Sequence, residues 1–557
     1  MNPAPSSDGE RFSLPDLSVS RSFKHTLFSS HNCGVKSRVG DVENTGQMGN
    51  EADVEAAGQK VPMRNDSSAT MVASAEDHAS FDHQQSKEHS GMSCVTVGFE
   101  EGDPHNPKNW SMRYRLWITA LGIIIVFNCT LASTSASGVS INIQYAFKVP
   151  IIVETLVTSL FLVGYIVGPI VFSPSSEFFG RKPTSVVAFT GYTIFSVATA
   201  LSPNIAAMLV FRFLTGFFAA CPLSVVGAIY ADIYGNPMHR GIAIATMAFI
   251  TMGGPVLSPS ISGFIATSYL SWRWAFWIPA ILAGATLILL VTTYKETYPP
   301  VLLARKAKRL SEETGIKHVS ELDNGRELRV MLKNAFTRPM RLVLEPIVFS
   351  ISIYLSFMYG MFYGFFLAYP IIFEGLYQFK SGPAGLMFIP VGVGSFIAWL
   401  SAISHLTYQN NKQKNHHKTF TPETARLPLS CVAGPCFVVA LLILGWTSRP
   451  SVSYFIPSIF GGVLFGFGFT VLFISFFNYL ADIYGLYAAS ALGVTSILRS
   501  SFGAAMPLFI PQMYHALSIP WATTLLAGVS LLLCPLPFLF IKFGERLRAR
   551  STFIQHG

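Results

Sequence analysis

The chain is poor in charge. Asp, Glu, Lys and Arg together make up 12% of its 557 residues, while hydrophobic residues make up 51%. A soluble domain carries roughly twice that charged share, about 25%, so the composition excludes an ordinary soluble protein and indicates a polytopic membrane protein. Cysteine is also scarce. Of 7 residues, Cys129, Cys221, Cys431, Cys436 and Cys534 lie in apolar runs, and Cys33 and Cys94 lie in the polar N-terminal part. No loop predicted to face outward carries a Cys pair, which excludes a disulfide framework. There is no basic start followed by an apolar core and a cleavage site, so no signal peptide is expected. No histidine and no carboxylate falls at the middle of an apolar run. Glu154 and Glu374 sit at one set of run ends, and Glu345, Asp232 and Asp482 at the other. The missing histidine removes the convergent groups a membrane enzyme would need.

What is present is a series of apolar runs long enough to cross a bilayer. Twelve are predicted, near 116–137, 153–173, 184–201, 205–230, 241–267, 275–294, 343–370, 383–403, 429–446, 454–478, 487–509 and 522–541. The fold class expected is an all-α membrane protein of twelve transmembrane helices in two pseudo-symmetric six-helix halves. Residues 1–107 hold 8 Lys/Arg against 16 Asp/Glu and show no periodicity, so they are expected to form a disordered cytoplasmic tail. The segments that follow are an N-terminal bundle over 108–298, a cytoplasmic central loop over 299–341, a C-terminal bundle over 342–548 and a short cytoplasmic tail over 549–557. Placing both termini inside puts 25 Lys/Arg in inner loops and 4 (Lys148, Arg273, Lys380 and Arg449) in outer ones. That asymmetry sets the orientation. The net charge of +9 therefore belongs to loops facing an anionic inner leaflet, not to a nucleic-acid site.

The stretch Arg212–Gly263 concentrates unusual features. Arg212 stands inside the fourth run, about seven residues or roughly 10 Å from its outer end at 1.5 Å per residue. A cation there is costly unless it meets a partner, water or an interface. It reads either as part of a solute or proton path or as a snorkelling or structurally paired arginine. The fifth run carries Gly253-Gly254-Pro255, Pro259 and Gly263, whose freed backbone groups need neighbouring helices or a wet cavity. Ala231-Asp232-Ile233-Tyr234-Gly235 at the end of the fourth run recurs as Ala481-Asp482-Ile483-Tyr484-Gly485 at the end of the tenth. The repeat falls six runs apart on the same side, so two related halves are expected with a solute site between them. Gly164/Gly168, Gly360/Gly364 and Gly462/Gly466 have the spacing of close helix contacts. Phe362, Phe366, Tyr369 and Phe373 share one helical face of the seventh run, as bulk or as the wall of an apolar cavity. Asn128 and Asn478 are in-run amides that would orient a solute or join helices.

These residues resemble the major facilitator superfamily, specifically the fungal drug:proton antiporters with twelve spans, over about 97–548. The resemblance is carried by Asp103-Pro104 with Asn106-Pro107-Lys108-Asn109-Trp110-Ser111, by Gly168-Pro169, and by Glu177-Phe178-Phe179-Gly180-Arg181-Lys182-Pro183. It continues through Arg212-Phe213-Leu214-Thr215-Gly216, Gly254-Pro255, Trp272-Arg273-Trp274, Asn478-Tyr479-Leu480 and Arg499-Ser500. It implies that Arg212 takes part in proton coupling. It also implies that Glu177, Gly180 and Arg181 form an inner latch, with Glu177 capping a helix of the other half and Arg181 and Lys182 at the lipid surface. Asp232 and Arg240 are grouped with this inner gate. Gly254 and Pro255 resemble the antiporter motif of the fifth span, with Ile250, Ser258 and Ser262 where that pattern has glycine.

The resemblance implies a proton-coupled exporter of apolar, aromatic or weakly basic organic compounds, without cofactor or metal. It would be a monomer in the plasma membrane, or alternatively the vacuolar membrane. Its partners would be small organic solutes, protons and lipid. A polyamine exporter ranks lower, because a polycation should want a mid-span acid, and a nutrient symporter lower still. The proton carrier stays open between Asp232, Glu345 and an acid near Arg212 in space.

Overall fold

The computed structural model describes residues 95–322, 337, 340–416, 421–485, 488–549 and 551, all within one compact unit, His89–Gly557. Residues 1–94, with Cys33 and Cys94, and the central-loop residues 323–336 and 338–339 lie outside the described residues. Ten continuous helical stretches among those described are long and apolar enough to span a membrane. The last, Ser490–Ala549, contains two spans, because Ser518 breaks it with a φ of 63°. Arg181–Ala200 is a further helix of spanning length, made less apolar by its Thr and Ser residues. The total is the expected twelve.

In order, spans one to six are Met112–Ser133, Ile151–Phe178, Arg181–Ala200, Ile205–Ile233, Pro237–Ala266 and Trp274–Thr293. Spans seven to ten contain Pro346–Tyr369, Ile389–His416, Pro428–Thr447 and Gly462–Tyr484. Spans eleven and twelve are the two parts of the helix broken at Ser518. Several starts are set by side chains that accept orphan amides. Ser111 accepts from Tyr114 N, Asn204 from Ala207 N and Asn236 from Met238 N.

Glycine governs the helix contacts. The backbone at Gly164 and Gly168 meets Phe217 and Ala220 of span four, and Gly216 answers against the Phe161 carbonyl. Gly360 and Gly364 admit Met506, Phe502 and Ile510 of span eleven, and Gly466 meets Val391 of span eight. With little hydrophobic drive between helices in lipid, such backbone approach supplies much of the association.

The start of span one and the end of span twelve share a basic face, and there the tail differs from expectation. Residues 95–107, assigned by composition to a disordered tail, are folded. Val95–Val97 pairs in parallel with His318–Ser320, a two-stranded exception to the all-α pattern. Lys306 Nζ, on the helix Pro299–Thr314, lies 2.8 Å from Asp103 Oδ2, and this bond holds the Asp103 carboxyl below the usual carboxylate range.

Candidate functional site: the end of span one and the basic face

The motifs of spans four and five meet on a single turn, the last turn of span one. Arg212 is 1% exposed. Its Nε donates to Val157 O, its Nη1 to Ala132 O and its Nη2 to Ser133 O, each at 2.8 Å. Ala132 and Ser133 close span one, so their carbonyls belong to the four that a helix end leaves without internal partners. The guanidinium caps that end, where a cation also meets the negative pole of the helix dipole. Its faces are covered by Phe161 at 4.5 Å and Phe276 at 5.7 Å. The charge is therefore held by oriented carbonyls and rings; no carboxylate among the described residues bonds to it.

Span five holds the same turn from another side. Gly254 packs on Thr130 and Leu131, where any Cβ would collide with the Thr130 hydroxyl. Pro259 lacks an amide, which leaves the Pro255 carbonyl free within its helix, and Thr134 Oγ1 donates to it at 3.2 Å. Span seven completes the junction through a 2.9 Å bond between Tyr363 Oη and Ser133 Oγ. Arg212, Gly254 and Pro255 are thus brought together, as helix-joining groups.

A small hydroxyl-lined crevice adjoins Arg212, bounded among others by Ser135, Ser196, Thr199 and Thr215. Beside the clamp, one turn before Val157, stands Glu154. It is 2% exposed, its Oε2 has no protein partner, and the Arg212 charge acts on it. This is the acid near Arg212 that the sequence could not single out, because its position looked like an ordinary span end.

On the basic face, the expected latch has a different acid. Glu177 makes no hydrogen bond or ion pair among the described residues. Glu296, from the end of span six, accepts from the amides of Arg181 at 2.8 Å and Lys182 at 3.1 Å and so caps span three. It also accepts from Thr297 N and Tyr298 N, both at 3.0 Å. Gly180 has a φ of 104°, and a Cβ there would meet the Glu296 carboxylate. The capping acid belongs to the same half, and among the described residues Glu177 has no partner in the other half.

Arg181 also departs from expectation. It is buried rather than at the lipid surface, with Nε 3.2 Å from Asp232 Oδ2, Nη1 donating to Ser176 Oγ at 2.6 Å and Cζ 4.6 Å from the Tyr298 ring. The repeat reappears in the second half as Arg426–Asp482 at 2.7 Å. There the buried acid and its tether exchange places: Glu423 lies in the turn and Arg548, from the chain end, reaches it at 2.8 Å. Arg240, in the first turn of span five, forms no ion pair among the described residues.

The candidate cavity residues are packed together. Phe362, Phe366 and Tyr369 are buried. Phe362 lies 5.2 Å from Phe469 of span ten, and Phe366 and Tyr369 stack on Phe388 at 5.0 and 4.2 Å. Asn128 joins helices: its Oδ1 accepts from Tyr192 Oη at 2.7 Å. Asn478 is buried in span ten, and its amide makes no hydrogen bond among the described residues. The two halves touch on the face opposite the basic one, where the Ser260 hydroxyl donates to Gly385 O and the Ser137 hydroxyl to Phe366 O.

One buried cation escaped the sequence reading as a site. Arg499 of span eleven is 3% exposed. The signal was available: the membrane part holds 31 Lys/Arg, and the loops account for all but Arg212 and Arg499.

The Major Facilitator Superfamily profile matches residues 121–507. The MFS-type transporter oryN of Aspergillus oryzae is 37% identical, covering 82% of this chain and 89% of its own. The multidrug transporter mdrA of Aspergillus fumigatus is 36% identical over 82% and 75% of the two chains, and FLU1 of Candida albicans, also named a multidrug transporter, is 35% identical over 81% and 74%. The solved proton:xylose symporter XylE superposes with a TM-score of 0.57 at 17% identity, covering 78% of this chain and 96% of that one, which concerns the fold alone. With twelve spans, a repeated half and these relatives, the chain belongs to the Major Facilitator Superfamily, beside its fungal multidrug transporters, and is a membrane transporter, not an enzyme.

Proposed function

We propose that the chain exports largely apolar, aromatic or weakly basic organic compounds in exchange for protons by alternating access. The basic face is cytoplasmic, the plasma membrane is the site of action with the vacuolar membrane as the other location, a monomer suffices, and the proton gradient is the only energy source. The observation that carries the reading is the clamp at the end of span one. There Arg212, with the Glu154 carboxyl under its charge, holds the helix turn that also contacts span seven of the other half. A proton taken up by Glu154 would change the charge beside Arg212, and so the hold on that turn, which couples protonation to the junction of the halves. The stacked rings around Phe362, Phe366 and Tyr369 are the apolar surface offered to solute when the halves part.

Flux in liposomes holding the purified chain, with and without an imposed proton gradient, tests the reading. Gradient-dependent movement of a planar drug is the expected result, and flux indifferent to the gradient overturns it. Glu154→Gln is expected to lose gradient-driven transport by at least about tenfold, the scale of removing one proton-transfer group, while solute–solute exchange persists. Equal loss of both activities would remove Glu154 as the proton carrier.

In cells, deleting the gene is expected to sensitise to planar azole-like inhibitors more than to spermine. The reverse pattern would replace the reading with polyamine export. The two buried arginines near the junction of the halves, Arg212 and Arg499, favour the first outcome, since a polycation there would meet like charge.

A further inference from the structure

Arg499 lies in a cage of rings. Its Cζ stands 4.7 Å from the centroid of Tyr359, 5.1 Å from Phe473 and 5.8 Å from Phe477, so spans seven and ten cover the guanidinium. Rings stabilise a cation through their faces, but they do not satisfy its N–H groups, which lie in the guanidinium plane and need acceptors. Nε and Nη1 are buried with no protein partner, and Nη2 has only Ser496 Oγ at 3.5 Å. No acid among the described residues pairs with Arg499. This differs from Arg212, where all three nitrogens are bonded to carbonyls.

The cage sits where the halves meet. One turn along span eleven, Gly503 lets the Tyr359 ring approach and has Leu162 of the first half within 3.5 Å of a Cβ position. Ser352 and Thr495 bond at 2.9 Å, which fixes the register of spans seven and eleven. One turn further on, that register sets Ser356 level with Arg499, and the Ser356 hydroxyl is also buried without a partner. Unused donors on two spans thus share one level, framed by aromatic rings, at the boundary that alternating access would open.

We propose that Arg499 is an anion-receiving subsite of the transport path, selecting planar aromatic solutes that carry a single carboxylate. The proposal rests on the exporter reading for its setting and extends the aromatic part of its substrate class to monocarboxylates. A carboxylate fits the in-plane edge of a guanidinium through two parallel bonds, and an aromatic ring attached to it would extend among Tyr359, Phe473 and Phe477.

The test uses the purified full chain in lipid nanodiscs and two probes of matched shape, 2-naphthoate and 2-naphthamide, in equilibrium binding at neutral pH. Naphthoate is expected to bind about tenfold or more tighter, the scale of one charge-assisted pair. Arg499→Gln is expected to bring the two probes to equal affinity without weakening naphthamide, which shows that the variant is folded. Arg499→Lys is expected to keep only part of the preference, because an ammonium lacks the planar fork. Equal binding of both probes by the unaltered chain, or a preference that survives in Arg499→Gln, overturns the subsite. Equilibrium binding needs no gradient, so the exporter reading fails separately, through absence of gradient-driven naphthamide flux in liposomes.

Discussion

Arg212→Ala is expected to abolish gradient-driven export while most of the protein still reaches the membrane. The substitution removes three bonds of 2.8 Å to the carbonyls of Val157, Ala132 and Ser133. Hydrogen bonds involving a charged group contribute about 1.5–3 kcal/mol each, so the side chain ties spans one, two and four firmly together. The Ala132 carbonyl left behind borders the hydroxyl-lined crevice, which offers it new partners, so export is expected to suffer more than folding. Arg212→Lys keeps the charge but cannot present three diverging donors in one plane, so it should restore expression more than transport. Export in inverted vesicles, normalised to the amount of protein in the membrane, separates the two effects. Normal export by the alanine variant would show that the clamp is dispensable.

The second large effect is expected at Gly180. Alanine there must adopt a φ of 104° and place its Cβ against the Glu296 carboxylate. A non-glycine residue in such a backbone region costs about 1–3 kcal/mol, and displacing the cap adds about 1 kcal/mol. A loss of about 2–4 kcal/mol is expected, read as a lower melting temperature of the purified chain and as reduced transport. Glu296→Gln, whose one amide oxygen can still accept from the amide of Arg181 but whose NH2 cannot accept from that of Lys182, is expected to cost less than Gly180→Ala. Glu177→Ala is expected to leave this conformation unchanged, because Glu177 has no hydrogen-bond or ion-pair partner among the described residues. If Glu177 serves as a latch, it does so in the other state of the cycle. Labelling of cysteines placed at the two mouths would then shift, with no loss of thermal stability.

Much of the architecture was legible in the sequence for one reason: it depends on quantities that run along the chain. Span length is a count of apolar residues. The repeat at Ala231–Gly235 and Ala481–Gly485 is a match of letters, and the structure shows its content in two Arg–Asp pairs, Arg181–Asp232 and Arg426–Asp482. The glycine pairs announced close helix contact, and close contact is what they make. The interest of Arg212, Gly254 and Pro255 was also visible, because a cation and helix breakers in an apolar run are costly wherever they point.

What those costly groups meet was decided only in three dimensions. Arg212 is bonded to residues 55, 79 and 80 positions away, and Gly180 and Arg181 lie against Glu296, itself 115 positions from Arg181. Backbone carbonyls carry no sequence signature, so no motif could announce that span one ends on a guanidinium. Glu177 stands beside the Gly180 turn in sequence and Glu296 far from it, and only the packing of span six brought Glu296 to that turn. Burial of the Phe362, Phe366 and Tyr369 rings against Phe388 and Phe469 likewise depends on spans eight and ten closing over them. The sequence by itself determined that a chain of this composition must cross a membrane twelve times with related halves. The tertiary structure decided which buried charges are satisfied and which, like Arg499, keep free donors, because hydrogen-bond partnership is set by distance and direction between helices and not by order along the chain.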